Sequence, residues 1–168
     1  AEDLVLKPAI MDSVELAIKN LLEASKAIDA ALLITTPRRV DQTQSKAHGD
    51  IVHDEQVQNC KLLMHKGEIL HMQAKHRLPN YGVFDEKRIF VPGPLPNVIV
   101  FKGTRLALPI CEDFWHDDVI AHMQAQAPDL FITANGSPFT ADKQHMRMDK
   151  VRAVALKTKT PVIYMNLV

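Results

Sequence analysis

RLALPICEDFW (Arg105–Trp115) decides how this chain is read. An apolar run, Leu106 to Ile110, delivers Cys111 directly into Glu112 and Asp113. The run has the length of a strand, and Asp117–Ala127 reads as a short helix opened by acids, so Cys111 falls between the two, where a sharp turn is possible. A turn of that kind can expose a nucleophile. The ordinary alternative is a packed core cysteine, since free cysteine is among the most buried residue types. Two neighbouring carboxylates do nothing to favour a thiolate, so a reactive Cys111 requires a cation or general base from elsewhere in the chain.

Working outward, VIVFKGTRLALPIC reads as a hairpin turning at Lys102-Gly103. Asp117–Ala127 reads as a short helix and Asp129–Asn135 as a strand. GSPFTADKQHMRMDKVRAVALKTKT is a loop leading into a helix, and Pro161–Val168 a final strand. On the other side, Lys7–Ala27 repeats Ile10, Val14, Ala17, Ile18, Leu21 and Leu22 at helical spacing, with Pro8 near the start where its missing N–H costs little. Ala30–Pro37 is a nearly continuous apolar run, the mark of a strand buried on both faces. Arg38–Gln56 is a polar excursion, and Cys60–Ala74 two strands joined at Lys66-Gly67. Lys75–Asn97 is dense in proline, glycine, charge and aromatics, and an ordered loop of that length is usually functional. Hairpins inside an alternating helix–strand order predict an α/β fold with a mixed sheet and outer helices.

Composition narrows the function classes. The chain has 168 residues, 46% hydrophobic and 24% charged, enough for one domain with a real core. Lys+Arg and Asp+Glu balance at 20 each, leaving no basic footprint for nucleic acid or an anionic membrane. No apolar stretch approaches a membrane span, and AEDLVLKPAIMD lacks the pattern of a signal peptide. With only Cys60 and Cys111, a disulfide framework is not expected, and a reducing, cytoplasmic setting is.

The candidate chemistry is small in number. Lys75, where a strand gives way to the Pro-Gly loop, can supply the cation that Cys111 lacks and can stabilise an oxyanion. A solvated strand-end lysine is the plainer reading. Glu86, eleven residues later, can orient that ammonium, or else form a surface pair with Lys87 or Arg88. Among eight histidines, His48/His53 and His71/His76 are five apart, which on a strand puts the rings on opposite faces, so no metal site is expected. No Walker A loop or G-x-G-x-x-G is present. Tyr81, Phe84, Phe114 and Trp115 are pocket candidates, with core packing the default for Phe114 and Trp115.

KHRLPNYGVFDEKRIF, PICEDFW, NGSPF and PVIYMNLV together resemble the carbon–nitrogen hydrolase (nitrilase) superfamily, within it the glutaminase domains of glutamine-dependent NAD synthetases. The likeness runs over essentially the whole chain, from EDLVLKPA onward. It implies a four-layer αββα sandwich, with residues 1–168 forming one domain. It implies a Glu-Lys-Cys triad in which Cys111 attacks the side-chain amide of glutamine and Lys75 stabilises the oxyanion, with Glu86 matching a second glutamate of the superfamily. By the same resemblance Tyr81 contacts glutamine, Ser137 binds the amino-acid end of the substrate and Lys143 faces its α-carboxylate. No cofactor or metal is expected in this domain. ATP and Mg, a synthetase domain as partner, and a homo-oligomer are expected of the whole protein.

The family's general-base glutamate lies in a segment upstream of the position matched by Ala1, and Glu2 matches a later glutamate, not the base. The expectation is therefore an internal fragment without its first strands and last segment, and nearly inactive alone, since acid–base help is worth roughly 10²–10⁴-fold. Two alternatives stand beside the glutaminase: a stand-alone amidase acting on another amide or nitrile, and a non-catalytic scaffold or oligomerisation module.

Overall fold

The computed structural model describes residues 2–40, 56–137 and 143–167. The chain forms two compact units, Ala1–Gly93 and Pro94–Val168.

In the first unit a 3₁₀ turn, Glu2–Leu6, leads into helix α1, Pro8–Ser25, with Pro8 in the first turn as expected. The helix packs on a three-stranded antiparallel sheet of order β1-β2-β3, made of β1 (Leu32–Arg39), β2 (Val57–His65) and β3 (Glu68–Ala74). Ile18, Cys60, Leu62, Met64 and Ala74 form the core, closed by Val14, Leu22, Leu32 and Ile34. The buried stripe of α1 is narrower than its apolar pattern. Met11, Ile18 and Ser25 are buried, whereas Ile10 and Leu21 are exposed. Ser25 earns its burial by local bonding. Its hydroxyl donates to the Leu22 carbonyl and accepts the Gly67 N–H, tying the end of α1 to the β2–β3 turn. That turn is the expected one, with Lys66 at φ 51° and Gly67 at φ 89°, the left-handed pair that a two-residue hairpin requires.

β1 departs from expectation twice. It is half-buried, not buried on both faces, and among the described residues it is the outer strand of its sheet, paired with β2. It also continues through Pro37 to Arg39, where an excursion was expected, and β2 begins at Val57. Proline is tolerated on an edge strand, and Arg38 and Arg39 are held against α1 by Glu15 at 3.0 Å and Asp12 at 2.8 Å. Residues 41–55 of that excursion, His48 and His53 among them, lie outside the described residues.

The second unit is a four-stranded mixed sheet of order β4-β5-β6-β7: β4 (Ile99–Phe101), β5 (Thr104–Ala107), β6 (Leu130–Asn135) and β7 (Val162–Asn166). β4 and β5 form the expected hairpin, with Lys102 at φ 47° and Gly103 at φ 81°. β5, β6 and β7 run parallel, connected through α2 (Asp117–Gln124) and α3 (Lys143–Thr158). Ala107, Phe114, Val119, Ile120, Met123, Phe131 and Val154 make the core between the sheet and its helices. This mixed α/β character is the architecture expected, realised as two sheets. Among the described residues no helix is long and apolar enough to cross a membrane.

Candidate active site

Two of the parallel strands of the second unit, β6 and β7, end in asparagine, Asn135 and Asn166, at the end where open α/β sheets bind ligands. The chain leaves β5 through Leu108 and Pro109, and Ile110 bridges Ala134 of β6 before the backbone reverses at Cys111, φ 46°. A side chain in the left-handed region costs about 1–2 kcal/mol, and local bonds hold it there. The Ile110 N–H donates to Asp113 Oδ2 at 3.2 Å, and the Asp113 N–H donates back to the Ile110 carbonyl at 3.0 Å. Helix α2 begins at Asp117, where the sequence pattern places it. A 3₁₀ segment, Cys111–Trp115, intervenes. Within it Asp113 and Phe114 are fully buried, and Glu112 accepts a bond from His116 Nε2 at 3.2 Å.

The two cysteines therefore differ in kind. Cys111 is half-buried at a strained turn, whereas Cys60 is buried in the first unit's core, where burial pushes its thiol up to about 11. Tyr164 on β7 meets the ring of Phe114 edge-on at 5.6 Å. Burial first, and then the charge of Cys111, raise its phenol above the ordinary value, with Arg147 opposing.

Lys75 and Glu86 lie together in the first unit. Lys75 Nζ donates to both carboxylate oxygens of Glu86, at 2.8 and 2.7 Å, and the lysine side chain is only 1% exposed. This is not a solvated strand-end lysine, and Glu86 does not pair with Arg88, which is taken by Asp85 and Asp3. The Pro-Gly loop is tied at both ends to present the pair. The Lys75 N–H donates to Asn59 and its carbonyl accepts the Gly93 N–H, both at 2.8 Å, while Val91 donates to Val57 at 2.9 Å. His76 Nδ1 bonds the Gly93 carbonyl at 2.8 Å. A Cβ on Gly93 would lie 2.6 Å from Ala74 Cβ and 2.7 Å from its carbonyl oxygen, so the close approach needs glycine. Inside the loop the Glu86 N–H donates to Pro79 at 3.1 Å, opening the 3₁₀ turn Glu86–Arg88. Tyr81 is exposed on the same loop, edge-on to Phe84 at 5.8 Å.

Ser137 follows the end of β6 and is held by two residues that the sequence did not single out. Its hydroxyl bonds Asn166 Oδ1 at 3.0 Å and receives Arg147 Nη2 at 2.7 Å. Arg147 also reaches the Ser137 carbonyl at 3.3 Å. Lys143 opens α3 one turn earlier, so the basic side chain that the helix brings to Ser137 is Arg147. Two residues before Ser137, Asn135 Oδ1 is buried without a hydrogen-bond partner among the described residues, its amide nitrogen donating to the Met165 carbonyl. The polar ends of β6 and β7 were the available signal, because Asn135 and Asn166 stand opposite each other in register.

Among the described residues no group of three or more His, Cys, Asp or Glu is placed to hold a metal ion.

No family model matches the chain. It is 31% identical to a glutamine-dependent NAD(+) synthetase of Rhodobacter capsulatus over 99% of its own length, and it spans 28% of that relative. The glutamine-dependent NAD+ synthetase structure of Acinetobacter baumannii superposes on all of the chain with a TM-score of 0.82 and 27% identity, the match covering 29% of that protein. An amidase of the nitrilase superfamily from Nesterenkonia sp. AN1 shares the fold, with a TM-score of 0.72 and 21% identity over 98% of this chain and 57% of that one. Another structure of that amidase carries acrylamide added at its active-site cysteine.

Proposed function

The chain is a domain of the carbon–nitrogen hydrolase (nitrilase) superfamily that matches glutamine-dependent NAD synthetases over its whole length, and from this premise we propose that it is their glutamine-hydrolysing part. The observation that carries the proposal is Cys111 itself, a half-buried cysteine on a strained turn after β5. Core packing asks for no such backbone, whereas a nucleophile gains by being turned out of the sheet. The cysteine adduct in the Nesterenkonia amidase supports the same chemistry.

In the proposed reaction a general base takes the thiol proton and Cys111 Sγ attacks the amide carbon of glutamine. A C–S bond forms and the carbonyl electron pair moves onto oxygen, where the Lys75 ammonium offsets the charge. Return of that pair breaks the C–N bond, and the base delivers its proton so that ammonia leaves. Water then attacks the thioester, releasing glutamate and restoring the thiol. Glu86, which accepts two bonds from the Lys75 ammonium, orients it. Tyr81 is assigned to contact glutamine, Ser137 to bind its amino-acid end and Lys143 to face its α-carboxylate.

The ammonia would serve a synthetase domain that amidates deamido-NAD with ATP and Mg, in a cytoplasmic homo-oligomer. By the resemblance ATP and Mg belong to that partner domain, and no step here runs through them. The fold carried by this assignment is the four-layer αββα sandwich.

The test is covalent labelling of the full-length protein by a diazo-ketone analogue of glutamine, followed by mass spectrometry. The expected adduct is on Cys111, is lost with excess glutamine, and leaves Cys60 unmodified. Glutamine-protectable labelling that spares Cys111 would remove the proposal and favour a scaffold. Labelling of Cys111 without glutamine turnover would favour an amidase of other specificity.

A further inference from the structure

Along β6 and β7 the face that packs on the helices changes from apolar to polar. Phe131 and Val162 are register partners and belong to the core between the sheet and its helices. Two residues on, Thr133 stands opposite Tyr164, and two further, Asn135 opposite Asn166. Alternation puts Phe131, Thr133 and Asn135 on one face of β6, and the parallel register puts Tyr164 on the same side. Three polar atoms of this layer, Thr133 Oγ1, Asn135 Oδ1 and the Tyr164 hydroxyl, are buried and make no hydrogen bond to the protein among the described residues. Thr133 is 0% exposed and Asn135 6%. The Asn135 amide is oriented by the bond from its Nδ2 to the Met165 carbonyl at 2.8 Å, so the position of its oxygen is fixed. The Tyr164 ring is held edge-on to Phe114 at 5.6 Å. The groups beside its hydroxyl, Trp115 and Arg147, only donate, so neither can take the phenol proton. Leaving one such atom unbonded in a core is costly, and three at neighbouring register positions point to a molecule that bonds them together.

We propose that Thr133, Asn135 and Tyr164 form an internal binding site for water, one molecule bridging all three on the helix side of β6 and β7. The spacing suits a ligand of that size, since neighbouring strands lie about 4.8 Å apart and alternate residues of one strand about 6.6 Å. The donors and acceptors balance as well. Asn135 Oδ1 only accepts, Tyr164 has a proton to give, and the Thr133 hydroxyl can do either. A water donates to Asn135, accepts from Tyr164 and makes its third bond to Thr133, and three bonds is the usual number for a buried water. Charged ligands fit less well. A cation would meet the Arg147 guanidinium beside Tyr164, and an anion would meet the Asn135 oxygen. The assignment does not depend on the glutaminase reading, because none of its three ligands takes part in the proposed reaction.

The test uses the full-length protein and has two parts. A high-resolution crystal structure is expected to show one ordered water within hydrogen-bond distance of all three atoms. A dry layer there, or the three atoms bonded to protein groups instead, would overturn the proposal. The second part replaces Thr133 by valine, which keeps the shape and removes the hydroxyl. With a water bound, the change takes away one of its bonds, and the slowest amides of β6 and β7 are expected to exchange roughly 2- to 10-fold faster by hydrogen-exchange mass spectrometry, the worth of one hydrogen bond. With no water, valine removes only a buried, unbonded hydroxyl, and exchange slows or stays the same; that result would also overturn the proposal. Tyr164→Phe is expected to act in the same direction as Thr133→Val. In the double variant the increase should be smaller than the product of the two single increases, because each change already loosens the same molecule. Effects that simply multiply would show two separate sites and sink the shared one.

Discussion

Replacing Glu86 by glutamine removes one charge from a pair that the fold has taken out of water. Lys75 is 1% exposed and Glu86 10% at the side chain, with contacts of 2.7 and 2.8 Å. At an effective dielectric of about 20 the attraction at that separation is about 6 kcal/mol before desolvation is subtracted. Measured losses on breaking buried pairs are about 3–5 kcal/mol, because the surviving charge stays buried and uncompensated. Glu86→Gln keeps an oxygen for the ammonium, so its cost belongs at the lower end, about 3 kcal/mol. Lys75→Met combined with Glu86→Leu removes both charges, and it should be within about 1 kcal/mol of the wild type because apolar replacement of buried pairs is often neutral. The assay is urea unfolding of the three proteins, followed by glutamine-hydrolysis rates for those that remain folded. The double variant should be stable and inactive, with the loss of the lysine proposed to stabilise the oxyanion costing about 10²–10³ in kcat. That outcome separates the pair's two roles. A Glu86→Gln protein as stable as the wild type, or a double variant no better than the single one, would refute the account of the pair as a buried, mutually compensating unit.

Two further perturbations test what surrounds the pair. Gly93→Ala places a methyl 2.6 Å from Ala74 Cβ and should cost about 1–3 kcal/mol by overpacking, with kcat falling as well because Gly93 holds the Lys75 carbonyl; unfolding midpoints and turnover would show it. His71 on β3 has a pKa lowered from 6.5, burial being the first cause and a Gln73 bond opposing it. The unfolded chain then binds a proton more readily than the folded one, so stability should fall as pH drops through 6.5 toward the folded value and level off below it. His71→Gln should flatten that part of the profile, and parallel curves for the two proteins would contradict the assignment.

Much of this organisation was legible because it depends on local chemistry. The Lys66-Gly67 and Lys102-Gly103 turns need left-handed residues, and glycine after lysine announces them whatever the tertiary context. The position of Cys111 at a reversal was also legible, because it falls between an apolar run of strand length and the helix opened by Asp117 and Asp118. What could not be read is set by partners distant in sequence. β1 looks like a central strand by composition, whereas among the described residues it pairs with β2 alone and lies at the edge of its sheet. α1 carries more apolar residues than its sheet covers, so Ile10 and Leu21 remain outside. Arg147 and Asn166 are nineteen residues apart, and nothing about either one indicates Ser137 until β6, α3 and β7 bring them to one end of the sheet.

The acids beside Cys111 show how far residue identity can mislead when direction is unknown. Read as neighbours in sequence, Glu112 and Asp113 argue against a thiolate, because two negative charges raise a thiol's pKa. The fold turns both to other tasks. Asp113 is sunk beneath the turn, where its carboxylate accepts the Ile110 N–H and its own N–H returns a bond, so it serves as the clamp that keeps Cys111 at φ 46°. Glu112 is directed to His116, four residues on. The strained cysteine and the acids that flank it are thus one device: a left-handed residue needs its neighbours to bind the backbone on either side, and aspartate two residues later does so from within the 3₁₀ turn. Acidity after the cysteine is a requirement of the turn's geometry, and any cation that activates the thiol has to come from outside the CEDFW segment.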